Sequence, residues 1–180
     1  MKIGAWLIIV FSCFSFMLSA YNLFNVATHP LKFKEEIIFY SKENDLSPTL
    51  IASVINVESS FKKDAKSNRN AIGLMQIKLS TANYLNTLNN QAEISEKELF
   101  SPSINIKYGC EYLKYLINKF NSIDTALAAY NSGETRVRSW LKSETYSLDG
   151  INLKYIPYEE TNNYVKKVNK NIDYYKQFFK

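Results

Sequence analysis

Cysteine, histidine, glycine and proline are all scarce in this chain, with two, one, five and four copies in 180 residues. Cys13 falls in an apolar N-terminal segment, which leaves Cys110 with no partner for an internal disulfide, so folding must rest on core packing. Tyr108, Tyr112 and Leu113 surround Cys110 at helical spacing and mark it as an inert buried thiol. The lone histidine, His29, lies far upstream, so no thiol–imidazole pair is indicated. Metal-ligand clusters, phosphate-binding glycine loops and dinucleotide fingerprints are missing too, and the sequence implies no cofactor. With so little glycine and proline, and no repeat or low-complexity run, fibrous and disordered classes are excluded. An arginine-rich cluster and a glycine–aromatic RNA motif are equally lacking, which leaves nucleic-acid binding without support.

What is present is a large apolar share, 46% of residues, with 13 tyrosines and 11 phenylalanines. That composition suits one compact helical domain able to bury a core. The formal net charge is +5 and the sequence pI about 9.0. A basic surface favours acidic partners such as nucleic acid, anionic lipid or an anionic cell-wall polymer. Scattered lysines are equally what a lysine- and asparagine-rich proteome gives every protein.

Residues 1–20 combine one cation, Lys2, an apolar run over residues 3–18, and Leu18-Ser19-Ala20. The pattern is that of an export signal cleaved after Ala20, or of an uncleaved membrane anchor. Val10-Phe11-Ser12-Cys13 only faintly matches a lipoprotein box, because Phe11 fits it poorly. Residues 21–31 are expected to be a linker, and residues 32–180 the functional domain, lying outside the cytoplasmic membrane.

Within 32–180 the pattern is helical throughout. Phe33, Ile37, Ile38 and Tyr40 give a stripe over 32–43, and Ser47-Pro48 is a strong helix start. Residues 61–70 form a polar loop, and a helix is expected to begin near Gly73–Gln76. Ser101-Pro102 starts another long helix, Ser122 or Asp124 a short apolar one, and Asn131-Ser132-Gly133 ends it. Residues 134–142 and 158–178 complete the set. No segment shows the sustained alternation of a half-buried strand, so the fold is expected to be all-α.

Glu58 stands where the apolar run Ile51–Val57 ends. A carboxyl group at the edge of such a segment is desolvated in its charged form, which raises its pKa toward neutrality. A proton held near neutral pH is what a general acid needs. Singly, the polar residues around it have ordinary explanations. A glutamate at a helix end is commonly a surface residue, Gln76 a helix surface residue, Tyr130 a core residue, and Asn131-Ser132-Gly133 a helix cap.

Together the residues carry more. Glu58-Ser59 with Phe61 and Ala65, Gly73-Leu74-Met75-Gln76-Ile77, Ala126–Gly133, and Ile156–Thr161 with Tyr164-Val165 follow in order, with a looser match at Asn105-Ile106, Gly109 and Tyr112-Leu113. In this series the chain resembles the lytic transglycosylases, of the catalytic-domain type found in soluble lytic murein transglycosylases, over roughly residues 35–178. One departure is Lys78-Leu79, where the family usually has Met-Pro. Lys78 either alters subsite preference in the sugar cleft, pairs with a peptide carboxylate, or points to solvent, and the last is slightly favoured.

The resemblance implies a lysozyme-like helical fold with a substrate cleft, peptidoglycan glycan strands as partner, and Glu58 as the catalytic acid. It further implies that Ser67 reaches the N-acetyl group or leaving oxygen, that Gln76 lines the sugar subsites, and that Met75 forms an apolar wall. Tyr130 would lie near Glu58 or the substrate, Asn131 would hold the cleft or an acetamido group, and Glu160 and Tyr164 would close the far side. Most glycosidases use two carboxyl groups. Asp64, in a lysine-rich loop, reads as a solvated charge, so Glu58 would act alone, first as acid and then as base, closing a 1,6-anhydro ring on muramic acid without water. A lysozyme-like muramidase hydrolysing the same bond, and a catalytically silent wall-binding module, are the alternatives.

Overall fold

The computed structural model describes residues 2–179. Its contacts divide the chain into Met1–Leu31 and Lys32–Lys180. The first unit is one helix, α1, Lys2–Thr28. It therefore runs through Tyr21 into the stretch expected to be a linker. No glycine or proline stands between Gly4 and Pro30 to stop it. The Thr28 hydroxyl donates back to the Phe24 carbonyl in the last turn (2.8 Å). Among the described residues, no helix is long and apolar enough to cross a membrane.

The second unit is mostly helical, as expected. Its helices are α2 (Lys34–Glu43), α3 (Pro48–Ser59), α4 (Leu79–Leu88), α5 (Glu96–Leu99), α6 (Pro102–Phe120), α7 (Ile123–Ser132), α8 (Glu134–Leu141) and α9 (Glu159–Tyr175). Proline in the first turn starts α3 and α6, as the Ser47-Pro48 and Ser101-Pro102 pairs require. Ser122 caps α7 by accepting from the Thr125 amide, and Gly133, at φ 93°, separates α7 from α8.

Helix α3 is the centre of the domain. Every residue from Thr49 to Asn56 is buried, which explains why its apolar residues fall on all faces. It packs on α9 and α2, while α6 packs on α7, α2 and α4. A buried amide pair, Asn171 Nδ2 donating to Asn56 Oδ1 at 2.7 Å, fixes α9 against α3.

The expected helix start at Gly73–Gln76 is instead a hairpin. Strand β1 (Ala71–Ile72) pairs antiparallel with β2 (Ile77–Lys78), and Gly73–Gln76 is the turn between them. Gly73 (φ 73°) and Gln76 (φ 50°) adopt left-handed backbone that no helix accommodates. Two-residue strands are too short to leave a periodic signature, so the sequence pattern passes over them.

Candidate active site

The hairpin turn is clamped from three sides. Asn105, fully buried on α6, accepts from the Met75 amide (2.8 Å) and donates to the Ile72 and Leu99 carbonyls (2.8 and 2.9 Å). Ser59, at the end of α3, donates to the Leu74 carbonyl (2.8 Å), and the Tyr130 hydroxyl on α7 donates to the Met75 carbonyl (2.7 Å). Gly73 is required here twice over: its φ is positive, and a Cβ would lie 2.5 Å from Asn105 Nδ2. The end of α3, the hairpin and the end of α7 are thus locked together around Glu58.

A cleft of about 400 Å³ opens at this junction, lined by Glu58, Ser67, Asn68, Arg69, Ala71, Gln76, Lys78, Tyr130, Asn131 and Glu160. A larger cavity of about 770 Å³ lies between Lys32-Phe33 and the loop after α3, but its carboxyl group is the exposed Asp64, flanked by Lys62 and Lys63. The smaller cleft is the one that holds a carboxyl group whose acidity is set by burial. Glu58 keeps a partial opening to the cleft, while surrounding protein desolvates its carboxylate and raises its pKa from 4.5 to about 7. The hydroxyl of Tyr164 pulls in the opposite direction and only partly offsets the burial.

Ser67 sits on a tight loop. Its hydroxyl oxygen accepts from the Ala71 and Arg69 amides (3.1 and 3.3 Å), which leaves its O–H to donate into the cleft. Both hydrogens of the Gln76 amide go to backbone carbonyls, of Gly73 (3.0 Å) and Ala65 (3.3 Å). Its carbonyl oxygen is the group left for a ligand. Asn131 Oδ1 accepts from the Thr161 hydroxyl (2.8 Å), fixing the end of α7 to the start of α9. Glu160 is exposed in the first turn of α9, where a negative charge suits the helix dipole. Burial and the Glu58 charge together hold the Tyr130 phenol well above its usual pKa, so it stays a neutral donor.

Two expected cleft residues lie elsewhere. Met75 is fully buried and forms no sugar-facing wall: its thioether fills the space over Gly109, where a Cβ would stand 2.1 Å from Met75 Sδ. What Met75 contributes is its backbone, held by Asn105 and Tyr130. Tyr164 does not close the far side of the cleft but is buried beside Glu58, with a hydroxyl that completes no regular hydrogen bond. Lys78, favoured as solvent-directed, lines the cleft. Asn68, Arg69 and Ala71 were missed because the loop around them carries no pattern. Asn105 belongs to the looser match, and nothing in its sequence setting signals the clamp.

The sequence pattern of the transglycosylase SLT domain matches residues 35–153. Over 152 residues the chain is 33% identical to a soluble lytic murein transglycosylase of Salmonella typhimurium, covering 83% of this chain and 24% of that one. It is 38% identical over 113 residues to membrane-bound lytic murein transglycosylase E of Buchnera aphidicola, covering 57% and 51%. The crystal structure of the 70 kDa soluble lytic transglycosylase of Escherichia coli superposes with a TM-score of 0.73 at 29% identity, over 83% of this chain and 25% of that one. The fold is therefore lysozyme-like and the chain belongs to the transglycosylase SLT domain family. It spans about a quarter of the length of the Salmonella and Escherichia proteins.

Proposed function

We propose that this chain is a peptidoglycan lytic transglycosylase acting in the cell envelope. The observation that carries the reading is Glu58, an acid with a pKa of about 7 at the base of an open polar cleft, in a chain of this family. Protonated Glu58 donates to the glycosidic oxygen between N-acetylmuramic acid and N-acetylglucosamine, and the C1–O bond breaks. The muramic acid's own 2-acetamido oxygen stabilises C1, a form of substrate assistance. The Glu58 carboxylate then takes the proton of the C6 hydroxyl, O6 bonds to C1, and a 1,6-anhydro ring closes. The first Glu58 proton leaves on the departing hydroxyl, the C6 hydroxyl proton restores Glu58, and the C1–O bond to the leaving sugar is exchanged for C1–O6, so the balance needs no water. Ser67 and the Gln76 carbonyl oxygen offer one donor and one acceptor to acetamido groups, and Asn131 supports the wall between α7 and α9.

Glu160 favours a second reading, because it is another carboxyl group lining the same cleft. As a base for water it would make the enzyme a muramidase. Its exposure argues for a solvated, substrate-facing charge. Mass spectrometry of products from purified glycan strands decides: anhydromuramic ends support the transglycosylase, and reducing ends overturn it. Glu58→Gln is expected to cut cleavage by at least about a hundredfold with the fold intact. Retained cleavage would remove Glu58 from the chemistry. Absence of cleavage by the unaltered protein would favour a silent wall-binding module.

The apolar segment over residues 3–18 serves in this reading as export signal or membrane tether. Sequencing the N-terminus of the exported protein separates the two: a start at Tyr21 identifies a signal, and an intact Met1 a tether.

A further inference from the structure

Two cations share the cleft with Glu58. Lys78 and Arg69 are both exposed, both line it, and among the described residues neither forms an ion pair. They stand on one wall. Lys78 is the register partner of Ala71 across the hairpin, and Arg69 belongs to the tight loop that leads into β1. That loop is held by its own hydrogen bonds: the Ser67 amide donates to the Ala71 carbonyl, the Asn70 amide donates to the Ser67 carbonyl, and the Ser67 hydroxyl oxygen accepts from the Arg69 and Ala71 amides. The backbone under both cations is thus fixed before any ligand arrives.

A helix N-terminus adjoins Lys78. Helix α4 begins at Leu79, immediately after Lys78, with no acidic residue in its first turn and no side chain capping it. Its dipole adds to the lysine charge. Against this stands Glu160, on α9, the other side chain in the cleft besides Glu58 able to carry negative charge. A glycan of N-acetylated sugars is itself neutral and gives two cations nothing to pair with. The charged part of a peptidoglycan strand is the lactyl arm of muramic acid, which ends in a carboxylate when bare and carries stem-peptide carboxylates when substituted.

Resting on the peptidoglycan reading above, we propose that Lys78 and Arg69 form a carboxylate-binding rim, and that this rim selects strands whose lactyl arm carries a free carboxylate over strands whose arm is neutral. Arginine offers a two-pronged contact and lysine a point charge, so the pair suits a carboxylate held at the mouth of the cleft.

The test compares kcat/KM of the full chain on three strand preparations: peptide-free strands with bare lactyl carboxylates, strands with native stem peptides, and the same strands with every peptide carboxylate amidated. A preference of roughly three- to tenfold for carboxylate-bearing over amidated strands is expected. Comparison of the first two preparations tells which carboxylate is read. Lys78→Met, which keeps side-chain length and removes charge, and Arg69→Gln should each lower the ratio toward one. Lys167→Met, exposed on α9 outside the cleft, should leave the ratio as it is. Raising salt to about 0.5 M should erode the preference in the unaltered protein. Equal cleavage of amidated and free strands, a preference that survives both cleft substitutions, or an equal loss in Lys167→Met would overturn the rim while leaving the transglycosylase reading standing. No cleavage of any strand would overturn both.

Discussion

Glu58 has a buried phenol, Tyr164, beside its carboxyl group. Burial raises the Glu58 pKa to about 7, and the neighbouring hydroxyl, itself pushed well above the usual phenol range by burial, lowers it. In the proposed reaction Glu58 works in its protonated form, so kcat/KM should fall as pH rises through about 7. Tyr164→Phe removes the lowering influence and should move that alkaline limb upward by a fraction of a pH unit to about one. A limb that stays in place or moves down would mean that Tyr164 acts on packing alone. The residue scale is also where the sequence is most and least legible. Glu58 was found because an apolar run ends in a carboxyl group, a pattern with a direct physical consequence. Met75 and Tyr164 were misplaced because motif membership says nothing about which way a side chain faces. Both belong to the recurring blocks, and both are buried.

At the level of elements, the helices and the hairpin divide sharply in how they could be foreseen. Prolines at 48 and 102 and the glycine at 133 mark helix limits through missing donors and positive φ, and those limits are where the structure has them. The hairpin was invisible because its strands pair over two residues each, and what holds it is tertiary. Asn105 supplies two of the holding hydrogen bonds from a helix some thirty residues downstream, and a third ties the same side chain to Leu99 at the end of α5. Asn105→Ala would leave the Met75 amide and two carbonyls unpaired in a buried setting. A loss of roughly 2–4 kcal/mol in unfolding free energy is expected, measured by denaturant titration. Because Gln76 is the last residue of the clamped turn, activity should drop further than the residual folded fraction accounts for. A loss below about 1 kcal/mol would show that the turn is held chiefly by Ser59 and Tyr130.

For the whole molecule, the division at Leu31 and Lys32 has a functional consequence. Every residue lining the cleft, and every clamp around it, belongs to 32–180. The core of that unit is its own: α3 is enclosed by α2 and α9, and Cys110, buried on α6 with its thiol pKa pushed far up, is inert and joined to nothing. The scarcity of cysteine is therefore matched by a core that needs no covalent staple, within the size at which single domains fold by burial alone. A chain reduced to residues 32–180 is expected to unfold in one cooperative transition, with a midpoint within about 3 °C of the full chain in detergent and unchanged by reducing agent. It should cleave soluble glycan strands at the rate of the full chain, since the acid, the cleft and their supports are all retained. A lower midpoint or a slower rate on soluble strands would mean that α1 supports the catalytic unit as well as addressing it. An effect confined to intact sacculi would assign α1 to location alone.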